Sequence, residues 1–327
     1  MFAETKKIIF EKYSLAYTVS GNSELKLLLF HGFGQDRTAF DLYHEKLLGF
    51  EIYSFDLIFH GESTGPEKKL SPIDWFILMS MFIEKEQIKN FYVAGFSLGG
   101  KFALFLAIYF PTHVSQLILI APDGFYKSPW YLISTTWPTR LLFHYLTQNF
   151  KQFHFLMGIL KYVGLIDASM NRFIHRELSN QAALKRVYRS WTYFRDISFS
   201  SNLLKLFLKK PSHIHTFLGA KDPLIDVNKI TPLLALGTYT VLKEKHHKIP
   251  VHPAVLAYIQ SLDKYYHELL RNMNKTKKCA DCGSTFAHWA TLKRGVFICI
   301  ECAQKLRADS SNLIKSCMGT YLWHPDE

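Results

Sequence analysis

Short apolar runs recur through the chain: Lys26–Phe30, Ile52–Phe55, Phe91–Ala94, Leu117–Ala121, Ile214–Leu218 and Thr238–Leu242. Each is too short for an amphipathic helix and nearly all apolar. Such runs are read as strands buried on both faces of a parallel sheet. Helix-like stretches such as Trp75–Lys85 and Lys101–Phe110 separate them. Strand and helix in alternation predict an α/β fold with helices covering both sheet faces. Chemistry-bearing residues are then expected at the carboxyl ends of strands. Between Asp123 and Lys210 the pattern changes. The segments Ser134–Tyr145, Phe153–Val163, Gln181–Phe194 and Asn202–Lys209 are predicted helical, and they interrupt the sheet as an insertion of about residues 123–210.

The 327 residues suffice for one large α/β domain and something small. The longest apolar runs, such as Phe102–Phe110, fall short of the ~18–20 residues that a membrane span needs. The amino-terminal segment lacks the apolar core of a secretory signal, so a cytoplasmic protein is expected. The net charge is +12, but the basic residues form no single run, and nucleic acid is not expected as a partner. Thirteen Lys/Arg against four Asp/Glu fall between Asp123 and Lys210, among many aromatic residues. An anionic membrane surface or an acidic substrate fits that stretch as well as nucleic acid does, and so does a merely solvated helical face.

Three strings stand where the predicted strands end. His31-Gly32-Phe33-Gly34 follows Phe30, Asp56 opens DLIFHGES after Phe55, and Gly95-Phe96-Ser97-Leu98-Gly99 follows Ala94. The last is G-x-S-x-G between a strand and a helix, the pattern of a serine on a sharp turn. Two further polar residues end strands: Asp222 in GAKDPLID and the His246-His247 pair in KEKHHKIP. A serine hydroxyl becomes a useful nucleophile when an imidazole takes its proton and a carboxylate holds that imidazole in the right tautomer.

With these motifs in this order, about residues 1–265 resemble the α/β-hydrolase superfamily. The resemblance implies Ser97 as nucleophile, Asp222 as orienting acid and His247 as base. The N–H groups of Phe33 and Leu98 would form the oxyanion hole. It implies hydrolysis of a carboxylic ester or related acyl substrate through an acyl-enzyme, without a cofactor, with the insertion as a cap over the serine. Asp226 and Asp123 compete with Asp222. For the base, His246 competes with His247, which Pro250 three residues on favours.

All five cysteines fall between Cys279 and Cys317. Cys279, Cys282, Cys299 and Cys302 spell C-x2-C-x16-C-x2-C, the spacing of a four-thiolate Zn2+ site. This places a domain of residues 1–270, a polar linker at 271–278 and a small module at 279–327. The text around the cysteines, with Trp289-Ala290 and Gly295-Val296-Phe297, resembles part of the zinc finger of ArfGAP domains. That resemblance implies an Arf-type GTPase as partner and Arg307 as the arginine that stabilises the transferring phosphoryl group. The family's histidine before that arginine is Leu306 here.

Overall fold

The computed structural model describes residues 4–123, 129–166, 171, 174, 178, 180–197, 214–225, 230, 234–235, 237–263, 278–285, 287–291, 294, 296–307 and 314–316. The chain opens with an antiparallel hairpin of β1 (Lys6–Phe10) and β2 (Tyr13–Ser20). Then follow β3 (Lys26–Phe30), α1 (Asp41–Lys46), β4 (Glu51–Phe55), α2 (Pro72–Lys85), β5 (Phe91–Phe96), α3 (Gly99–Tyr109) and β6 (Val114–Ile120). An insertion brings α4 (Pro129–Thr135), α5 (Thr139–Gln148), α6 (Phe150–Tyr162) and α7 (Gln181–Tyr193). The sheet resumes with β7 (Ile214–Gly219) and β8 (Thr238–Leu242), and α8 (Pro253–Gln260) follows. The eight strands lie in the order β1-β2-β4-β3-β5-β6-β7-β8, parallel from β4 to β8.

The central apolar runs form strands with almost no water on either side. The expectation of burial for Thr238–Leu242 is corrected: β8 is the last strand of the sheet, and Thr238, Tyr239 and Val241 are exposed. β7 is buried at every residue, and β3 at every residue but its first. One face of the sheet packs on Trp75, Phe82 and Phe102 from α2 and α3. The other packs on Phe40, Tyr43, Val255 and Ile259. Helix starts are set locally. Ser71 Oγ accepts from Asp74 N–H at 3.0 Å and Pro72 takes the first helical position of α2. His252 Nδ1 accepts from Ala254 N–H at 3.1 Å to cap α8 in the same way.

The expectation of one helix over Ser134–Tyr145 is corrected. The helix breaks between Thr135 and Thr139, because Pro138 has no N–H to continue the ladder and its ring clashes one turn back. The predicted helix at Asn202–Lys209 lies outside the described residues, as does the linker at 271–278 apart from Lys278.

The insertion has a small core of its own, built on Leu146, Phe153, Ile166, Leu184 and Val187. Its carboxyl end enters the main core instead: Phe194 and Ile197 are fully buried among the residues beneath the sheet.

The cysteine-bearing segment forms a three-stranded antiparallel sheet in the order β10-β9-β11, with β9 (Trp289–Thr291), β10 (Val296–Ile298) and β11 (Ile314–Ser316). Helix α9 (Ile300–Arg307) follows β10. Its separate core comprises Cys279, Ala287, Phe297, Ile298, Cys299 and Ala303. Among the described residues, no helix is long and apolar enough to cross a membrane.

Candidate active site and metal centre

Ser97 sits between β5 and α3 with φ at +49°, in the left-handed region that side chains rarely adopt. The turn holds it there. Its N–H donates to Ile120 O at 2.9 Å, and its carbonyl accepts from Gly100 and Asp123 N–H at 2.9 and 3.0 Å. The flanking glycines are steric requirements. A Cβ on Gly95 would stand 2.4 Å from Gly99 O, and one on Gly99 would stand 2.1 Å from Phe30 O. Strand, serine turn and helix can pack this closely only without those side chains.

Asp222 and His246 come together from the ends of β7 and β8. The loops are drawn close by Ala220 N–H donating to Leu242 O at 2.7 Å and Lys221 N–H to Glu244 O at 3.2 Å. Gly219 permits the approach, since a Cβ there would lie 2.5 Å from Glu244 O. Asp222 Oδ1 accepts from Leu224 and Ile225 N–H at 2.8 and 3.1 Å. Its Oδ2 lies 2.6 Å from His246 Nδ1, with the carboxylate fully buried and the imidazole nearly so. The other side of the His246 ring rests on Phe96, centroids 4.9 Å apart, one residue before Ser97. Among the described residues, Ser97 Oγ makes no hydrogen bond to His246. Such bonds are often long in ligand-free sites and tighten when substrate binds.

The expectation of His247 at this position is therefore corrected: His247 is exposed and it is His246 that meets Asp222. The two histidines open a single 3-10 turn, His246–Lys248. In that geometry residues three apart eclipse one another. Ile249 is fully buried, so its partner three positions back, His246, also faces inward. The apolar Ile249 was the signal in the sequence; Pro250 pointed to the wrong neighbour. Of the competing acids, Asp123 places its carboxylate 3.7 Å from Lys101 Nζ, and Asp226 lies outside the described residues.

The two upstream motifs are tied to each other by hydrogen bonds. His31 is fully buried; its Nε2 accepts from Leu57 N–H at 3.0 Å and its Nδ1 donates to Gly32 O at 2.7 Å. Burial pushes its pKa down to about 4, so the ring is neutral and the tautomer is fixed by these two bonds. Asp56, also fully buried, accepts from Arg37 N–H and Glu62 N–H at 2.8 Å each and from the Arg37 guanidinium. Ser63 Oγ donates to Asp56 O at 2.8 Å. DLIFHGES is thus a folded brace, not a second set of reacting groups. His60 is buried beside His31, ring centroids 5.2 Å apart, and burial lowers its pKa to about 3. Among the described residues, its Nε2 has no hydrogen-bond partner.

The insertion meets the site through the loop after β3. The Phe33 side chain packs against both the main core and the insertion's core. Arg186 of α7 donates to Gly34 O at 3.5 Å. The residue expected to offer an oxyanion N–H is thereby held between sheet and insertion. Leu98, expected to offer the other, is buried at the amino end of α3, where first-turn N–H groups have no partner one turn back.

In the tail, the sulfurs of Cys279, Cys282, Cys299 and Cys302 lie within 4.8 Å of one another, and Cys282 and Cys299 Sγ are 3.6 Å apart. Four thiolates about 2.3 Å from a tetrahedral Zn2+ stand about 3.8 Å from each other. The donor set and its dimensions fit that ion. Arg307 is the last residue of α9, five positions after Cys302, while Leu306 packs against the tail's core. Cys317 lies outside the described residues.

Comparison with known proteins agrees with both parts. Residues 27–173 match the α/β hydrolase fold family, and residues 263–325 match the family of GTPase-activating proteins for Arf. An uncharacterized protein of Mycobacterium bovis is 32% identical over 116 residues, 35% of this chain and 34% of that protein. Lipase 1 of Psychrobacter immobilis is 30% identical over 117 residues, 35% of this chain and 37% of the lipase. The chain thus spans about a third of the length of the curated relatives it matches. A hydrolase from Pseudomonas aeruginosa superposes with a TM-score of 0.58 at 18% identity, covering 80% of this chain and 98% of its own. At that identity the likeness shows the fold.

Proposed function

We propose that this chain, an α/β hydrolase by fold, is a serine hydrolase of carboxylic esters or related acyl substrates. The observation that carries the reading is the buried Asp222–His246 hydrogen bond at 2.6 Å, seated on Phe96 beside the Ser97 turn. Esterase and lipase names among its relatives point the same way.

In this reading His246 is the base. Asp222 holds the proton on Nδ1, which leaves the Nε2 lone pair free to take the Ser97 hydroxyl proton. Ser97 Oγ attacks the acyl carbon, and the carbonyl oxygen gains charge that Leu98 and Phe33 N–H groups stabilise. Each such donor contributes about 3–4 kcal/mol in the transition state. The imidazolium returns its proton to the leaving alcohol, and the acyl-enzyme forms. Water, activated by the same histidine, then releases the acid.

The test is hydrolysis of a p-nitrophenyl ester by the full chain. Ser97→Ala and His246→Ala are expected to lower kcat by roughly 10^4-fold, while His247→Ala stays within about threefold. Full activity in Ser97→Ala sinks the proposal.

The four-cysteine cluster and the match over residues 263–325 favour a second activity in the tail. Zn2+ held by Cys279, Cys282, Cys299 and Cys302 would tie both C-x2-C turns to one point and stabilise a module too small for a large core. Arg307 would then act on the GTP of an Arf-type GTPase. Stimulated GTP hydrolysis that disappears in Arg307→Ala is the expected result; no stimulation at micromolar protein removes this reading.

A further inference from the structure

The insertion buries apolar side chains on one side and displays them on the other. On α6 the buried Phe153 faces the insertion's core together with the half-buried Leu156 and Leu160. On the outer side of the same helix, Phe155, Ile159 and Tyr162 are 73%, 44% and 92% exposed. Their spacing of four and three residues places them on one helix face. Lys151, also exposed, begins that stripe one turn earlier, and exposed Lys161 adjoins its end. On α5, Leu141 and Tyr145 are more than half exposed, four residues apart. An apolar display of this extent marks a surface that meets something other than water.

Charge selects the occupant. Residues 124–166 contain no Asp or Glu but four Lys/Arg: Lys127, Arg140, Lys151 and Lys161. A protein partner of mixed charge would find no basic group's complement here, whereas an anionic headgroup layer over hydrocarbon matches both properties. Tyr rings and Lys stems suit that boundary, with apolar bodies and polar tips. α6 is too short to span a bilayer and has the two-sided character of a helix that lies in the interface plane.

We propose that the α5–α6 face of the insertion docks on an anionic phospholipid surface, with Phe155, Ile159 and Tyr162 entering the headgroup boundary and Lys151 and Lys161 on lipid phosphates. The inference rests on the surface alone and is independent of the hydrolase reading.

Sedimentation of the full chain with vesicles tests it. Binding is expected to vesicles of phosphatidylcholine mixed with phosphatidylglycerol at about 0.1 M salt, and to weaken at about 1 M, where the Debye length falls to ~3 Å. Pure phosphatidylcholine should bind at least tenfold less. The double variant F155S/Y162S should lose roughly tenfold or more in partitioning on both vesicle types. K151E/K161E should lose binding to the anionic vesicles alone. All four side chains are exposed, and unchanged thermal unfolding will confirm that the variants fold. Absence of vesicle binding, or binding that neither variant alters, overturns the proposal. So does self-association abolished by F155S/Y162S without any vesicle binding, which would assign the face to a second copy of this chain.

Discussion

Ser97 keeps its left-handed backbone only because two glycines clear the space around it. Gly99→Ala would press a methyl group against Phe30 O, 2.1 Å away, at a backbone position with little freedom to move. A loss of roughly 3 kcal/mol or more is expected, read as a lower urea midpoint, with activity falling alongside. Such a constraint is local, which is why G-x-S-x-G could be read directly from the chain. The base was less legible. Adjacent histidines look alike in sequence, and only the 3-10 turn that sends Ile249 and His246 inward together separates them. His31 and His60 set a pH dependence. Each is neutral when folded, with pKa near 4 and near 3, against about 6.5 when unfolded. Between those values the unfolded chain binds more protons, so stability rises with pH across that window. The contribution is full above about pH 6.5 and is lost as the pH falls toward 4, about 3 kcal/mol from His31 alone. Urea midpoints measured from pH 7 to 4.5 should fall steadily; a flat profile contradicts the assignment.

The central parallel strands β3, β5 and β7 were legible because burial on both faces leaves a mostly apolar run, whereas β8 is an exposed edge that its sequence did not announce. The β1–β2 hairpin was not. KKIIF is a half-exposed edge strand with two lysines. YSLAYTVS, paired on both sides and buried at Tyr13, Leu15, Ala16 and Tyr17, mixes hydroxyl side chains into its run, so neither is announced by apolar content. In the insertion, Pro138 outweighed an otherwise helical pattern. Aromatic richness alone could not say which rings face inward. Phe153 is buried, while Phe155, two residues on, is exposed. The anchor of the insertion is Phe194, between Phe59 and Phe102 with ring centroids at 6.2 and 5.1 Å. Phe194→Ala should therefore cost about 3–5 kcal/mol. The partly exposed ion pair between Arg189 of α7 and Glu67, which precedes α2, should matter far less, under about 1 kcal/mol in Arg189→Ala. Thermal unfolding of both variants checks the contrast; equal losses would mean that surface pairing, not the buried ring, holds the insertion down.

At the scale of the whole molecule, the sheet's two cores and the tail's core are made of different residues. The C-x2-C spacing made the tail's metal chemistry legible, because two turns converging on one tetrahedral ion need little more than the right separations. What the tail does was less legible: the resemblance singles out Arg307, but Leu306 replaces the family's histidine before it, and spacing from Cys302 alone does not distinguish a reacting arginine from a solvated one. If the tail folds around its own ion, a strong chelator should remove its protection from hydrogen exchange and leave ester hydrolysis within about twofold. Collapse of hydrolysis on chelation would instead tie the two parts together. The central claim concerns the larger part, and the most direct measurement is mass spectrometry of the intact chain after treatment with a fluorophosphonate. That reagent modifies a serine activated by a base and an oxyanion hole. The account predicts one adduct, on Ser97, retained in His247→Ala and lost in His246→Ala. No adduct on the folded protein, or one that survives His246→Ala, would contradict it.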